Sequence, residues 1–184
     1  MNRSRPLLLL LGCLLLAACA PRAVPAPGGA AGPVTAPPVA SSAGLCAYTW
    51  DTRALPELSA RLQGLVDASG WNGVTAGANA YGEDCTDPTG KLVSFGAMET
   101  DFHFTVTVAS LKNTARMGEI LAGLLKIVRT IPAEALSGPM PGYVGVAFES
   151  GQDQLNLWFP LKDGLGALDR GLKGAELFEA LHSP

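Results

Sequence analysis

The clearest pattern in the chain is an alternation. In DFHFTVTVAS, Asp101 to Ser110, Phe102, Phe104, Val106 and Val108 share one parity, and His103, Thr105 and Thr107 share the other. A period of two predicts a strand with one buried face and one wetter face. The period then changes. In NTARMGEILAGLLKIVRTIP, Met117, Ile120, Leu121, Leu124, Val128 and Ile131 recur every three or four residues, which predicts a helix with one apolar stripe. Asn113 is placed to cap it and Pro132 to stop it.

Similar reasoning covers the rest of the chain from Leu45 onward. CAYTWD, Cys46 to Asp51, reads as a short strand. A helix follows in LPELSARLQGLVDAS, with Leu55, Leu58, Leu62, Leu65 and Val66 on one face, Pro56 in its first turn, Asp51 or Thr52 as cap and Gly70 as terminator. VTAGANAY, Val74 to Tyr81, reads as a strand, and DPTG, Asp87 to Gly90, as a turn. After the turn-rich SGPMPG come YVGVAFES and QLNLWFP, two strands joined by a hairpin loop at ESGQD. The glycine-rich tail, through AELFEALH, predicts two short helices.

The resulting order is β-α-β-β-α-β with an added strand and terminal helices. It predicts an α+β fold, and the simplest arrangement is a ferredoxin-like split β-α-β sandwich: a largely antiparallel sheet with both main helices on one face. If the helices cover the Phe104 face, the opposite face displays Thr75, Asn79, Tyr81, His103, Thr105, Thr107, Tyr143, Asn156 and Trp158. Aromatics mixed with hydroxyls in this way suit a docking surface for a glycan, a peptide or an envelope protein. An antiparallel sheet also commonly leaves one face simply solvated.

The first 44 residues have a different character. Arg3 and Arg5 precede a run from Leu7 to Ala20 without a charge, which is the basic start and apolar core of an export signal. The run is shorter than the ~20 apolar residues a membrane helix needs. It ends in Leu16-Ala17-Ala18-Cys19, which resembles the lipobox of bacterial lipoproteins. The resemblance implies that residues 1–18 are a signal peptide and that Cys19 becomes the first mature residue, carrying fatty acid such as palmitate. Cys13, in Leu10-Leu11-Gly12-Cys13, would leave too short an apolar core. In lipoproteins of bacteria with two membranes, an aspartate after the cysteine commonly retains the protein at the inner membrane. Ala20 in that place implies the outer membrane where there is one. Residues 19–44 hold Pro21, Pro25, Pro27, Pro33, Pro37 and Pro38 among alanine, glycine and serine, and predict an extended tether.

Residues 45–184 then form a single domain of ordinary size. With Cys13 removed and Cys19 acylated, Cys46 and Cys85 are left as candidates for a disulfide in an oxidising compartment. A ferredoxin-like topology sets the start of the first strand and the end of the second at opposite ends of the sheet. The bridge and the topology therefore compete.

Charge excludes one class of partner. All sixteen acidic residues fall after residue 44, whereas Arg3, Arg5 and Arg22 of the thirteen basic residues fall before it, so ten basic residues face sixteen acidic ones. Nucleic-acid binding needs a basic footprint, and this domain has none. Nor does a catalytic or metal motif emerge. His103 and His182 are the only histidines and neither has a neighbour at metal-ligand spacing. GEDCTDPTG lacks the calcium-loop ligand order, PTGKL lacks a phosphate loop's upstream glycine, and no G-x-S-x-G is present. No cofactor is expected. The reading is a lipid-anchored cell-envelope protein, facing outside the cytoplasm, whose small domain binds or interacts. An extracytoplasmic hydrolase and a scaffold without a small ligand are the alternatives.

Overall fold

The computed structural model describes residues 46–182. The expected signal peptide, Cys19 and the expected tether lie outside the described residues. Five strands, β1 (Ala47–Ala54), β2 (Val74–Thr86), β3 (Leu92–Thr107), β4 (Met140–Ser150) and β5 (Asp153–Pro160), form one sheet in the order 1-2-3-4-5. Neighbours are antiparallel except β3 and β4, which run parallel. The helices are α1 (Pro56–Ala68), α2 (Thr114–Arg129), α3 (Leu161–Asp169) and α4 (Gly174–His182). None of them is long and apolar enough to cross a membrane.

This is an α+β fold with a mixed sheet, and its strand order departs from the ferredoxin-like expectation. A split β-α-β sandwich would set β1 beside β3, whereas here β1 lies antiparallel beside β2. The local reason is visible at the edge of β2. β1 is only eight residues long and its pairing ends at Ala54 with Asn79, leaving Val74 to Ala78 without a strand neighbour on that side. α1 takes that place. Ser59 Oγ accepts from the Ala78 N–H at 2.9 Å, Gln63 Oε1 accepts from the Ala76 N–H at 2.7 Å, and Gln63 Nε2 donates to the Val74 carbonyl at 3.1 Å. Two polar side chains thus do for the β2 edge what a longer β1 would have done.

The same pairing decides between bridge and topology. Antiparallel alignment brings the start of β1 to the end of β2, with Tyr48 opposite Cys85, and Cys46 is joined to Cys85 by a disulfide.

Several elements differ in extent from the sequence reading. β1 runs on through Asp51 and Thr52, so neither caps α1; its N-cap is Leu55, whose N–H donates to the Ala78 carbonyl. β2 and β3 extend well beyond Tyr81 and before Asp101, so that β1 and the adjoining halves of β2 and β3 form a three-stranded arm. On the α2 cap the two agree: Asn113 Oδ1 accepts from the Arg116 N–H at 3.0 Å. The turn at Asp87 is held by its Oδ1, which accepts from the backbone N–H groups of Thr89 and Lys91. Ser150 and Asp153 close the final hairpin around Gly151, whose φ of 65° suits glycine.

One face of the sheet carries the core. Phe102, Phe104, Val106, Val144, Val146, Phe148, Leu157 and Phe159 are buried there with Met117, Leu121, Leu124 and Leu125 of α2. Leu177 and Phe178 of α4 and Leu161 of α3 complete the same cluster, and Leu62 and Val66 of α1 join it. Each such side chain, fully buried, contributes about 1.5–3 kcal/mol.

Candidate functional site

The helices gather on one side, so the other side of the sheet is left to its own side chains. Register sets Thr75 opposite Thr105, Thr105 beside Ala147 and Ala147 opposite Asn156; one step along, Gly77 is opposite His103, His103 beside Gly145, and Gly145 opposite Trp158. Asn79 pairs with Asp101, Tyr81 with Glu99, and Tyr143 with Pro160. Thr107 lies beside Glu149 at the far end. Alternation therefore puts Thr75, Asn79, Tyr81, His103, Thr105, Thr107, Tyr143, Asn156 and Trp158 on one face, opposite the core.

Within that face the structure brings a subset together. The indole of Trp158 lies 5.5 Å from the Tyr143 ring at an interplanar angle of 6°, and 5.5 Å from the His103 ring. On the opposite side of β3, Trp50 of β1 stacks on Tyr81 of β2, with centroids 5.3 Å apart and planes within 7°. The two aromatic pairs flank β3, whose contribution between them is acidic: Glu99 and Asp101. Tyr81, Glu99, Asp101, Tyr143 and Trp158 line one cavity of about 210 Å³. A second depression of about 320 Å³ lies beyond Trp158, over His103, Gly145 and Asn156. Thr75 and Thr107 border neither, while Asn79 sits beside Asp101 and lines neither cavity.

Two glycines make this packing possible. A Cβ at Gly145 would come within 2.7 Å of Trp158 Cε3 and Cζ3, so only glycine lets the indole cross β4 toward His103. At Gly142 a Cβ would collide with the carboxylate of Asp101. The β3–β4 register shifts between Thr100 and Phe102, and at that irregularity Asp101 Oδ1 accepts from the Tyr143 N–H at 2.8 Å. Asp101 is buried, at 7 % exposure. Glu99 makes no hydrogen bond or ion pair among the described residues, and burial, together with the Asp101 carboxylate, pushes its pKa above the ordinary value.

The electrostatics of the face are one-sided. Glu83, Glu99, Asp101 and Glu149 lie on it by alternation. The one lysine or arginine in the five strands is Arg53, which is on the other side: it pairs with Asp84 at 2.6 Å and lies 4.6 Å over the Phe95 ring.

Trp50, Tyr48, Glu99, Asp101 and Gly145 belong to this region and the sequence reading did not single them out. For Tyr48 and Trp50 a signal existed, since they alternate with Ala47, Thr49 and Asp51 in a strand that was itself read. For Asp101 one existed too, since it shares the parity of His103 and Thr105 in the same alternation. For Glu99 none did, because it precedes the clear alternation and the strand continues back to Leu92 through an irregularity where Gly82 pairs with Ala97 and Met98 is passed over. His103 stacks on Trp158, and no serine or cysteine among the described residues hydrogen-bonds to it.

The fold and the face together define an α+β protein with an open, aromatic and acidic sheet surface. Compared with protein-family models, with curated proteins and with solved structures, the chain matches none.

Proposed function

We propose that this is a lipid-anchored protein of the bacterial cell envelope whose domain, held outside the cytoplasm on a proline-rich tether, binds a partner through the open face of its sheet. The observation that carries the reading is the set of exposed aromatics on one face: Tyr48, Trp50 and Trp158 are 64 %, 57 % and 54 % exposed on a face that no described helix covers. Large exposed aromatics grouped on one side are what binding surfaces concentrate. The lipobox-like segment ending at Cys19 supports the anchor, and the Cys46–Cys85 disulfide suits an oxidising compartment. A scaffold without a small ligand would have a uniformly polar surface. A hydrolase would gather His103 or several carboxylates of shifted pKa in a deep pocket, whereas the two carboxylates here line a cavity of only about 210 Å³ beside exposed rings.

Both halves of the reading are testable in cells. Radioactive fatty acid should label the protein and not its Cys19→Ser variant; label retained by the variant removes the anchor. A photo-crosslinking residue at Asn156 or Thr105 should yield discrete adducts, while the same residue at Lys173, just before α4, should not. Equal adducts from both sides, or none from the sheet, would remove the binding face.

A further inference from the structure

We infer that the cavity lined by Tyr81, Glu99, Asp101, Tyr143 and Trp158 receives the guanidinium group of an arginine presented by a protein partner; this rests on the binding-face reading and names its chemistry. Size argues for a side chain. Pockets for whole small ligands span ~300–1,000 Å³, whereas this one is about 210 Å³ and opens onto a broad aromatic surface. Charge argues for a cation. Two carboxylates enter the cavity wall, Glu99 without any partner among the described residues and Asp101 with one oxygen engaged by the Tyr143 N–H. No lysine or arginine of the sheet shares their face, because Arg53 is committed to Asp84 on the other side.

The mixture of groups argues for guanidinium over ammonium. A guanidinium is flat, weakly hydrated and able to stack on an aromatic ring while its N–H fork donates to a carboxylate, and an ammonium does only the second well. Here the rings and carboxylates are interleaved across three strands. Tyr81 on β2 and Tyr143 on β4 stand either side of β3, two strand spacings or about 10 Å apart across the sheet and offset along it, and β3 supplies Glu99 and Asp101 between them. Each tyrosine is held by a tryptophan from the strand beyond it, Trp50 on Tyr81 and Trp158 on Tyr143, so the walls are ordered before any partner arrives.

The test uses the full-length protein in a neutral detergent and three blocked tripeptides, glycine-X-glycine, with X arginine, lysine or citrulline. Arginine should perturb the Trp158 indole and Tyr143 ring resonances saturably at millimolar concentration. Citrulline, the same shape without the charge, should bind at least about tenfold more weakly, and lysine several-fold more weakly. Glu99→Gln and Tyr81→Ala should each weaken the arginine peptide by about fivefold or more, and Glu176→Gln, exposed on α4, should leave it unchanged. Equal binding of citrulline or lysine, or no perturbation by arginine, overturns the assignment. Loss of arginine binding with the sheet-specific crosslinks intact defeats the guanidinium claim alone, whereas loss of those crosslinks defeats the binding face itself.

Discussion

The indole of Trp158 rests over the backbone of Gly145, on the neighbouring strand, with its six-membered ring where a Cβ would have to go. That one vacancy lets a residue of β5 reach both Tyr143 of β4 and His103 of β3. The aromatic surface is thus built by backbone packing as much as by aromatic residues.

Gly145→Ala should expel the indole. Overpacking of this kind costs about 1–3 kcal/mol, and an aromatic pair contributes about 0.5–1.5 kcal/mol beyond its area. A lower urea midpoint, with Trp158 fluorescence more accessible to acrylamide, is the expected result. An unchanged quenching constant would mean that the indole does not depend on this seat.

Ser59→Ala should cost roughly 1–2 kcal/mol, since the Ala78 N–H loses its acceptor at the exposed end of β2. Hydrogen exchange should accelerate at Ala78 first. Adding Gln63→Ala should extend the faster exchange to Ala76. Protection left intact in both variants would remove α1 as the guard of that edge.

Cys46→Ser with Cys85→Ser should lower stability by up to about 3–4 kcal/mol on the chain-entropy estimate for a separation of 39 residues. The loss should concentrate in β1, which is otherwise an exposed edge strand. Because Trp50 stands on β1, its contact with Tyr81 should loosen too, readable as weaker near-ultraviolet dichroism.

Glu99→Gln should raise the melting temperature near pH 7. The folded-state pKa of Glu99 is raised, chiefly by burial and then by Asp101 on the same strand, so folding favours the protonated form. Ionised Glu99 therefore subtracts stability above its folded pKa and subtracts none below the unfolded value, about 4.3. The advantage of the variant should close by about pH 3.5, and one that persisted there would have a cause other than ionisation.

Much of this architecture was legible along the chain. Phe102, Phe104 and Val106 declare their buried face by alternation, and Met117, Ile120, Leu121 and Leu124 declare theirs by helical spacing, because side-chain direction follows from local backbone geometry. The nine residues of the open face were grouped on the same ground. The arm was harder to read. Leu92 and Val93 are adjacent apolar residues near a register shift, and Met98 sits at another, so the period of two is broken where β3 begins.

Sequence alone determined which way each side chain of a regular element points and where the turns fall. Tertiary structure decided that β1 would lie beside β2, that α1 would guard the edge left over, and that Glu99 and Asp101 would stand between two aromatic pairs drawn from four other strands. The physical reason is distance along the chain. Facing is settled within a few residues, whereas a strand's neighbours are chosen by hydrogen bonds and packing between segments tens of residues apart, and no local period records that choice.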